Sequence, residues 1–416
     1  MMTLSGQNIL FKRIINDLAD NVTTLVLLPD LVDWRKIEYL LEEALIDKAE
    51  HLLGRSLVLV DCEEQSPVVN LSEALAINWV DKNAPRTVQN LIKNGGMPEI
   101  ILLRTFMDAT LEHQANWVRC LFDFNEIRLK NRVECPAFCV VARAMDKAVT
   151  SLASGPGFST YYWYDFCSLA EAESFYQQEM EGRNLAETVW KASLLASLAG
   201  EKYGLAENLD DVILKGVSPV LERLTDIARE FGWEDEDLRR QGIEQFLNRH
   251  CYISLDKLKL DNNIRQLWAL GLMDFSREFG WEISSWVLGA LGLRKELKHR
   301  IWRAQVKVVM PIINQLRLRI IQTLVRGYGS EWLAWDIPLT KKDNGCNKSY
   351  DPFDAELFFL WNILRSHKKE LRKEQIFLPS LRQAHLLRNK LAHYETIEFA
   401  EYQDLLRRLN DLMTVA

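Results

Sequence analysis

Arg388, Asn389 and His393 stand in the segment Leu387-Arg388-Asn389-Lys390-Leu391-Ala392-His393-Tyr394. An arginine and a histidine five positions apart, with an asparagine after the arginine, could act on a phosphodiester. Metal-free cleavage of RNA needs a base for the 2′-hydroxyl proton, an acid for the leaving 5′-oxygen, and a cation for the crowded phosphorane. Imidazole suits proton transfer because its pKa of roughly 6.5 lies near neutrality. A guanidinium suits the phosphate because its planar fork makes two charge-assisted hydrogen bonds. An amide can orient the imidazole or meet a phosphate oxygen. The alternative reading makes Arg388 a solvated charge and His393 a satisfied histidine at a helix end.

Those residues need a helix to position them. The composition of 381–394 predicts one. At about 100° per residue, Asn389 and His393 share a face and Arg388 is displaced toward the neighbouring one. Leu387, Leu391 and Tyr394 can pack inward, so one edge presents the polar trio to a cleft or a partner subunit. Helices are also expected at 355–364 and 399–413, with a polar loop at 340–351. A long helix pair is expected over 295–326, broken near Pro311.

Arg-Asn, then Ala-His, after a run of helices and before a short loop and an amphipathic last helix, resembles the HEPN superfamily. The likeness is strongest to forms found in bacterial abortive-infection and other conflict systems. It covers roughly residues 300–416, about a quarter of the chain, within an expected C-terminal helical domain of 294–416. It implies a small helical bundle that dimerises, with two motifs meeting to form one composite ribonuclease site. His393 would be the general acid/base, Arg388 the phosphate stabiliser and Asn389 the orienter, without a metal or other cofactor. Many HEPN domains instead keep the fold and serve as binding modules.

The chain of 416 residues is acidic, with a formal net charge of −7. Between Leu293 and Arg326, however, nine basic residues face a single acid, Glu296. Arg294, Lys295, Lys298, Arg300, Arg303, Lys307, Arg317 and Arg319 from this run are candidates for holding RNA by its phosphates. The other reading of the run is a solvated helix face paired with acidic neighbours.

Residues 1–168 alternate apolar strands with helical stretches. Strands are expected at 24–28, 56–60, 99–103, 137–142 and 161–164. Helices are expected at 34–51, 71–79, 87–93 and 110–127. Short unbroken apolar runs between helices predict an α/β domain with a parallel sheet covered on both faces. The order resembles a P-loop NTPase of the kind that precedes winged helices in bacterial signalling and defence ATPases. The phosphate loop is missing. After the first strand the chain reads Leu28-Pro29-Asp30-Leu31-Val32-Asp33-Trp34, with no glycine and no lysine. The third strand ends at Arg104 where a Mg²⁺-linked carboxylate would be expected. The resemblance is therefore to a degenerate domain that has lost ATP hydrolysis.

Residues 169–293 read as helices, among them 236–249. Near their end, a helix at 262–270, Gly271 and two extended segments resemble a winged helix; the alternative is a helical bundle with one hairpin. The hexapeptide Arg-Glu-Phe-Gly-Trp-Glu occurs twice, at 229–234 and 277–282, each copy suggesting a glycine-ended helix or turn before an anchoring tryptophan. Seven cysteines at irregular spacings lack a CxxC pair and read as free thiols of a reducing cytoplasm. No secretory signal or membrane span is expected. The expectation is thus a cytoplasmic component of a bacterial defence system. Its partners would be RNA, a second copy of the chain through residues 294–416, and other proteins of the system. A non-catalytic structural or adaptor subunit is the alternative.

Overall fold

Strands form where apolar runs are short and unbroken, because such segments can be buried on both faces. In the computed structural model, β1 (Thr23–Leu28), β2 (Leu57–Asp61), β3 (Ile100–Arg104), β4 (Ala137–Arg143) and β5 (Phe158–Tyr162) build one parallel sheet. The structure describes residues 5–30, 32–48, 56–131, 135–152, 155–163, 168–182, 184–200, 202–243, 246, 262–276, 278–335 and 351–415. The strand order is β2-β3-β4-β1-β5. Leu25 pairs with Val140 and with Thr160, and Leu102 pairs with Cys139. β1 and β4, central in the sheet, are buried along their lengths apart from Arg143 at the rim.

One sheet face, including Leu25, Leu27, Leu103, Val140 and Ala142, packs in a core with Leu71, Leu91, Trp117, Phe124 and Leu152. Those residues come from α3 (Pro67–Ala74), α4 (Val88–Lys93), α5 (Leu111–Asn131) and α6 (Lys147–Leu152). The helices preceding them in the chain, α1 (Ser5–Ala19) and α2 (Trp34–Lys48), pack together, and α1 lies against β1 and β4. Of the expected strands, 161–164 differs: the strand runs over Phe158–Tyr162, and Tyr164 lies outside the described residues. Every residue of this edge strand is only half-buried, so its sequence carries a weak apolar signal.

The described chain falls into two compact units. The α/β unit comprises Met1–Phe175, Ala199–Glu207 and Asp235–Val287; the helical unit comprises Tyr176–Leu198, Asn208–Glu234 and Leu288–Ala416. Within the α/β unit, helix Asn262–Ala269 ends at Gly271, whose φ is +72°, and an antiparallel hairpin follows from β6 (Met273–Ser276) to β7 (Gly280–Ile283). The carbonyl of Gly271 accepts from the Ser284 hydroxyl at 2.7 Å and the Trp286 indole at 3.2 Å. Lys202, buried, reaches Ser284 at 3.0 Å and pairs with Asp274. The first part of the helix expected at 236–249 is seen as Asp235–Arg240; most of its second half, with Arg277, Cys167, Cys251, Cys346 and nearly all of loop 340–351, lies outside the described residues. Cys62, Cys120, Cys135 and Cys139 are free.

The helical unit contains α7 (Leu185–Ala199) up to Leu198, α8 (Val217–Glu230), α9 (Arg294–Tyr328), α10 (Leu357–Ser366), α11 (Leu378–Ala392) and α12 (Phe399–Val415). α9 runs unbroken through Pro311, in contrast to the expected break. Proline there removes one amide donor, but Pro311 is exposed and the stripe Ile301, Val308, Leu316, Ile320, Leu324 stays buried on either side of it. Continuous apolar burial outweighs one missing hydrogen bond. This 35-residue helix is also long and apolar enough, by length and composition, to cross a membrane, with a best window of mean hydropathy 1.2. Its buried stripe is the pattern of a core helix.

Candidate functional site

α11 carries the motif, and α9 backs it. The indole Nε1 of Trp302 donates to the carbonyl of Leu391 at 2.6 Å, a second donor beside the Tyr394 amide at 3.2 Å. One turn along α9, the buried side chain of Gln305 clamps Ile397 in both directions. Its amide nitrogen donates to the Ile397 carbonyl at 2.9 Å, and its oxygen accepts from the Ile397 amide at 2.9 Å. Lys390 pairs with Glu401 of α12 at 2.7 Å. The last turn of α11 and the loop after it are thus fixed from two sides.

His393 caps α11, its amide donating to the carbonyls of Asn389 and Lys390 at 3.1 Å each, and its side chain is exposed. Arg388 is exposed too, with Nη1 3.4 Å from the Asn389 oxygen, a long contact. The Asn389 amide nitrogen lies 3.1 Å from Nε2 of His385. When that amide donates, the ring of His385 is neutral with its proton on Nδ1. The structure therefore brings Arg388 and Asn389 together and joins Asn389 to His393 through the backbone.

His385 is the residue that the sequence reading missed. The signal was available as His385-x3-Asn389-x3-His393, a spacing that keeps three side chains near one helix face. Eight residues separate the two histidines, about 12 Å along the helix axis, so a single chain does not aim both at one phosphate. Phe358 of α10, more than half exposed, lies against His385 with ring centroids 5.8 Å apart.

The basic candidates do not form one patch. From Arg294 to Arg319 they are spread over about 37 Å of helix axis. Arg300 is buried. Arg317 binds the carbonyls of Phe353 at 2.6 Å and Ala355 at 3.0 Å, tying down the segment before α10. Arg294 donates to the Ser218 hydroxyl at 2.6 Å. Arg303 and Arg319 are half-buried, Lys298 is half-buried, and Lys295 and Lys307 are exposed. Lys295 and Lys298 precede Trp302 by seven and four residues, on the stretch of α9 that backs the motif.

In the α/β unit the crevice to test lies outside the carboxyl ends of β1 and β4, where the crossovers leave in opposite directions. The amide of Asp30, just past β1, is taken by the carbonyl of Ala269 at 2.9 Å. Trp268 packs edge-on against Tyr162 at 5.8 Å, and Arg265 lies over the same ring. At the end of β3, Arg104 makes a bidentate pair with Asp61, both bonds 2.8 Å, and reaches Glu42 at 3.5 Å. Thr105 follows with φ +56°, and its amide donates to both oxygens of buried Glu38 at 3.0 and 3.2 Å. Burial pushes the Glu38 carboxyl up to about 7, against the opposing pull of the Thr105 amide and Arg104. The polar groups named at this edge satisfy one another.

No protein-family model and no curated protein matches this chain. Among the described residues, no group of three or more His, Cys, Asp and Glu side chains could hold a metal ion.

Proposed function

We propose that the chain is a component of a bacterial anti-phage or toxin-type defence system in which residues 294–416 act as a HEPN-like, metal-independent ribonuclease. Residues 1–168 would be an inactive NTPase-like domain that regulates it, with a winged-helix-like element following. The observation that carries the reading is the end of α11: Arg388 and His393 are exposed on a helix terminus that Trp302 and Gln305 hold rigidly from behind. His393 transfers protons at the 2′-hydroxyl or the leaving 5′-oxygen. Arg388 stabilises the phosphorane, and Asn389, held by His385, fixes the geometry between them. Because the second histidine sits about 12 Å along the same helix, the missing proton-transfer partner comes from a second copy of the chain. The protein is thus read as a cytoplasmic homodimer through its C-terminal helices, working on RNA beside other proteins of the system.

A second reading, a non-catalytic structural or adaptor subunit, has one observation in its favour. The Asp30 amide, where a phosphate loop would begin after β1, is already bonded to the Ala269 carbonyl. The deciding experiment is incubation of wild type and His393→Ala with tRNA and total RNA in the presence of a chelator. Cleavage by wild type alone supports the ribonuclease. Equal, negligible cleavage by both, with and without candidate nucleotides, leaves only the adaptor.

A further inference from the structure

Beside His393 lies an aromatic cluster that the chemistry above does not use. His299 stacks on Trp302, with centroids 5.1 Å apart and planes 26° apart. Trp302 meets Tyr394 at 4.6 Å, and His299 meets Tyr394 at 6.0 Å. Tyr394 remains 61 % exposed despite both contacts. The ring is also held at a backbone position that costs something. Tyr394 has φ +59°, in the left-handed region where glycine is the usual end to a helix, and the amide of Glu395 closes the turn onto Lys390 at 2.9 Å. A non-glycine residue there is strained, because its Cβ crowds the following carbonyl.

Cations flank these rings. Lys295, Lys298, His299 and Trp302 follow the i, i+3, i+4, i+7 spacing of one helix face on α9. This combination is what unpaired nucleic acid requires: an exposed aromatic face on which a base stacks, with lysines along the path of the phosphates. A duplex hides its base faces, so it gains only the phosphate contacts. The acidic net charge elsewhere makes the clustering of these cations on the aromatic side the more telling.

We infer that Tyr394, Trp302 and His299, with Lys295 and Lys298, form a stacking platform that selects single-stranded RNA and delivers it to His393. The inference rests on the ribonuclease reading for its purpose, and on the aromatic and basic geometry for its existence. Base stacking on an aromatic ring is sequence-tolerant, so the platform discriminates paired from unpaired strands and not one base from another.

Binding is measured by fluorescence anisotropy with a labelled oligouridine and a duplex of the same length, in the non-cleaving His393→Ala chain. Adding Tyr394→Gly removes the ring while suiting the backbone, and weakens oligouridine binding about tenfold. Tyr394→Phe keeps the affinity. Lys295→Ala with Lys298→Ala lowers the salt dependence of binding by about two phosphate contacts. Equal affinity of the Tyr394→Gly and parent chains, or equal affinity for duplex and single strand, overturns the inference. So does RNA binding lost only together with the dimer in sedimentation, which assigns the face to a second copy. A chain that binds through Tyr394 but never cleaves leaves the platform standing and removes the ribonuclease. Cleavage with binding indifferent to Tyr394 does the reverse.

Discussion

The carboxyl edge of the parallel sheet and the C-terminal end of α11 are both rich in charge, and they treat it in opposite ways. At the sheet edge, Arg104 is neutralised by Asp61 and Glu42, Glu38 is buried on the Thr105 amide, and the Asp30 amide is bonded to Ala269. At the helix end, Arg388, His393 and Tyr394 are exposed while the bonds that fix them lie behind, on Trp302 and Gln305. Charges that satisfy one another stabilise a fold; charges displayed on a rigid backing can meet a ligand. Under the proposed ribonuclease reading, the difference favours the helical unit as the seat of the chemistry, although the α/β unit has the architecture more often associated with ligands.

The widest separation between the two regions is expected in activity. Replacing His393 by Ala lowers metal-free RNA cleavage by about 100-fold or more, the usual contribution of a general acid or base. Arg104→Ala leaves that cleavage within about twofold of wild type when folding is intact. If the Arg104 variant loses as much cleavage as the His393 variant, the contrast fails. Stability comes next. Gln305→Ala orphans the amide and carbonyl of Ile397 in a buried setting, at about 1–3 kcal/mol per group. Chemical denaturation followed by circular dichroism reads this loss, and the backing of the motif is falsely assigned if the midpoint does not move.

A smaller effect is expected in the pH dependence of the α/β unit. The folded pKa of Glu38 is about 7, above its ordinary value of 4.5. The native state then holds the proton more tightly than the unfolded state, so stability present at low pH is lost as pH rises from about 4.5 to about 7. The slope from this one group is at most about 1.4 kcal/mol per pH unit. Glu38→Gln flattens it, as denaturation midpoints across that range would show. Smallest of all is the exposed pair of Arg35 with Asp108 at 3.2 Å, whose removal by Arg35→Ala changes stability by at most about 1 kcal/mol.

The sheet was largely legible in the sequence because Ile100–Leu103 and Ala137–Ala142 are apolar without interruption and short. β5 was misplaced by about three residues because a half-buried edge strand need not be apolar. Pro311 misled for a different reason: a local preference was overruled by a buried stripe longer than the local window. The repeated hexapeptide shows the same limit. At 229–234 it closes α8, with Gly232 at φ +75° and the Trp233 amide bonded to the Ala228 carbonyl. In the second copy Gly280, at φ +73°, begins β7 after a hairpin turn, and Trp281 is buried. One sequence serves a helix end and a hairpin because glycine permits both and the surroundings choose. Within the site, the motif itself was legible, while the partners Trp302, Gln305 and His385 were missed. Two of them lie about 85–90 residues away in sequence, and His385 is a turn ahead of a motif usually read from its arginine.

The most direct test of a helix-end site completed by a second copy is subunit mixing in single-turnover cleavage of labelled tRNA with chelator present. Wild-type and His393→Ala chains are mixed in varied ratio, at constant total concentration, and allowed to exchange subunits. A site that needs one His393 from each copy is lost in every mixed dimer, so cleavage should fall as the square of the wild-type fraction. Cleavage that falls in simple proportion to the wild-type fraction would contradict the account.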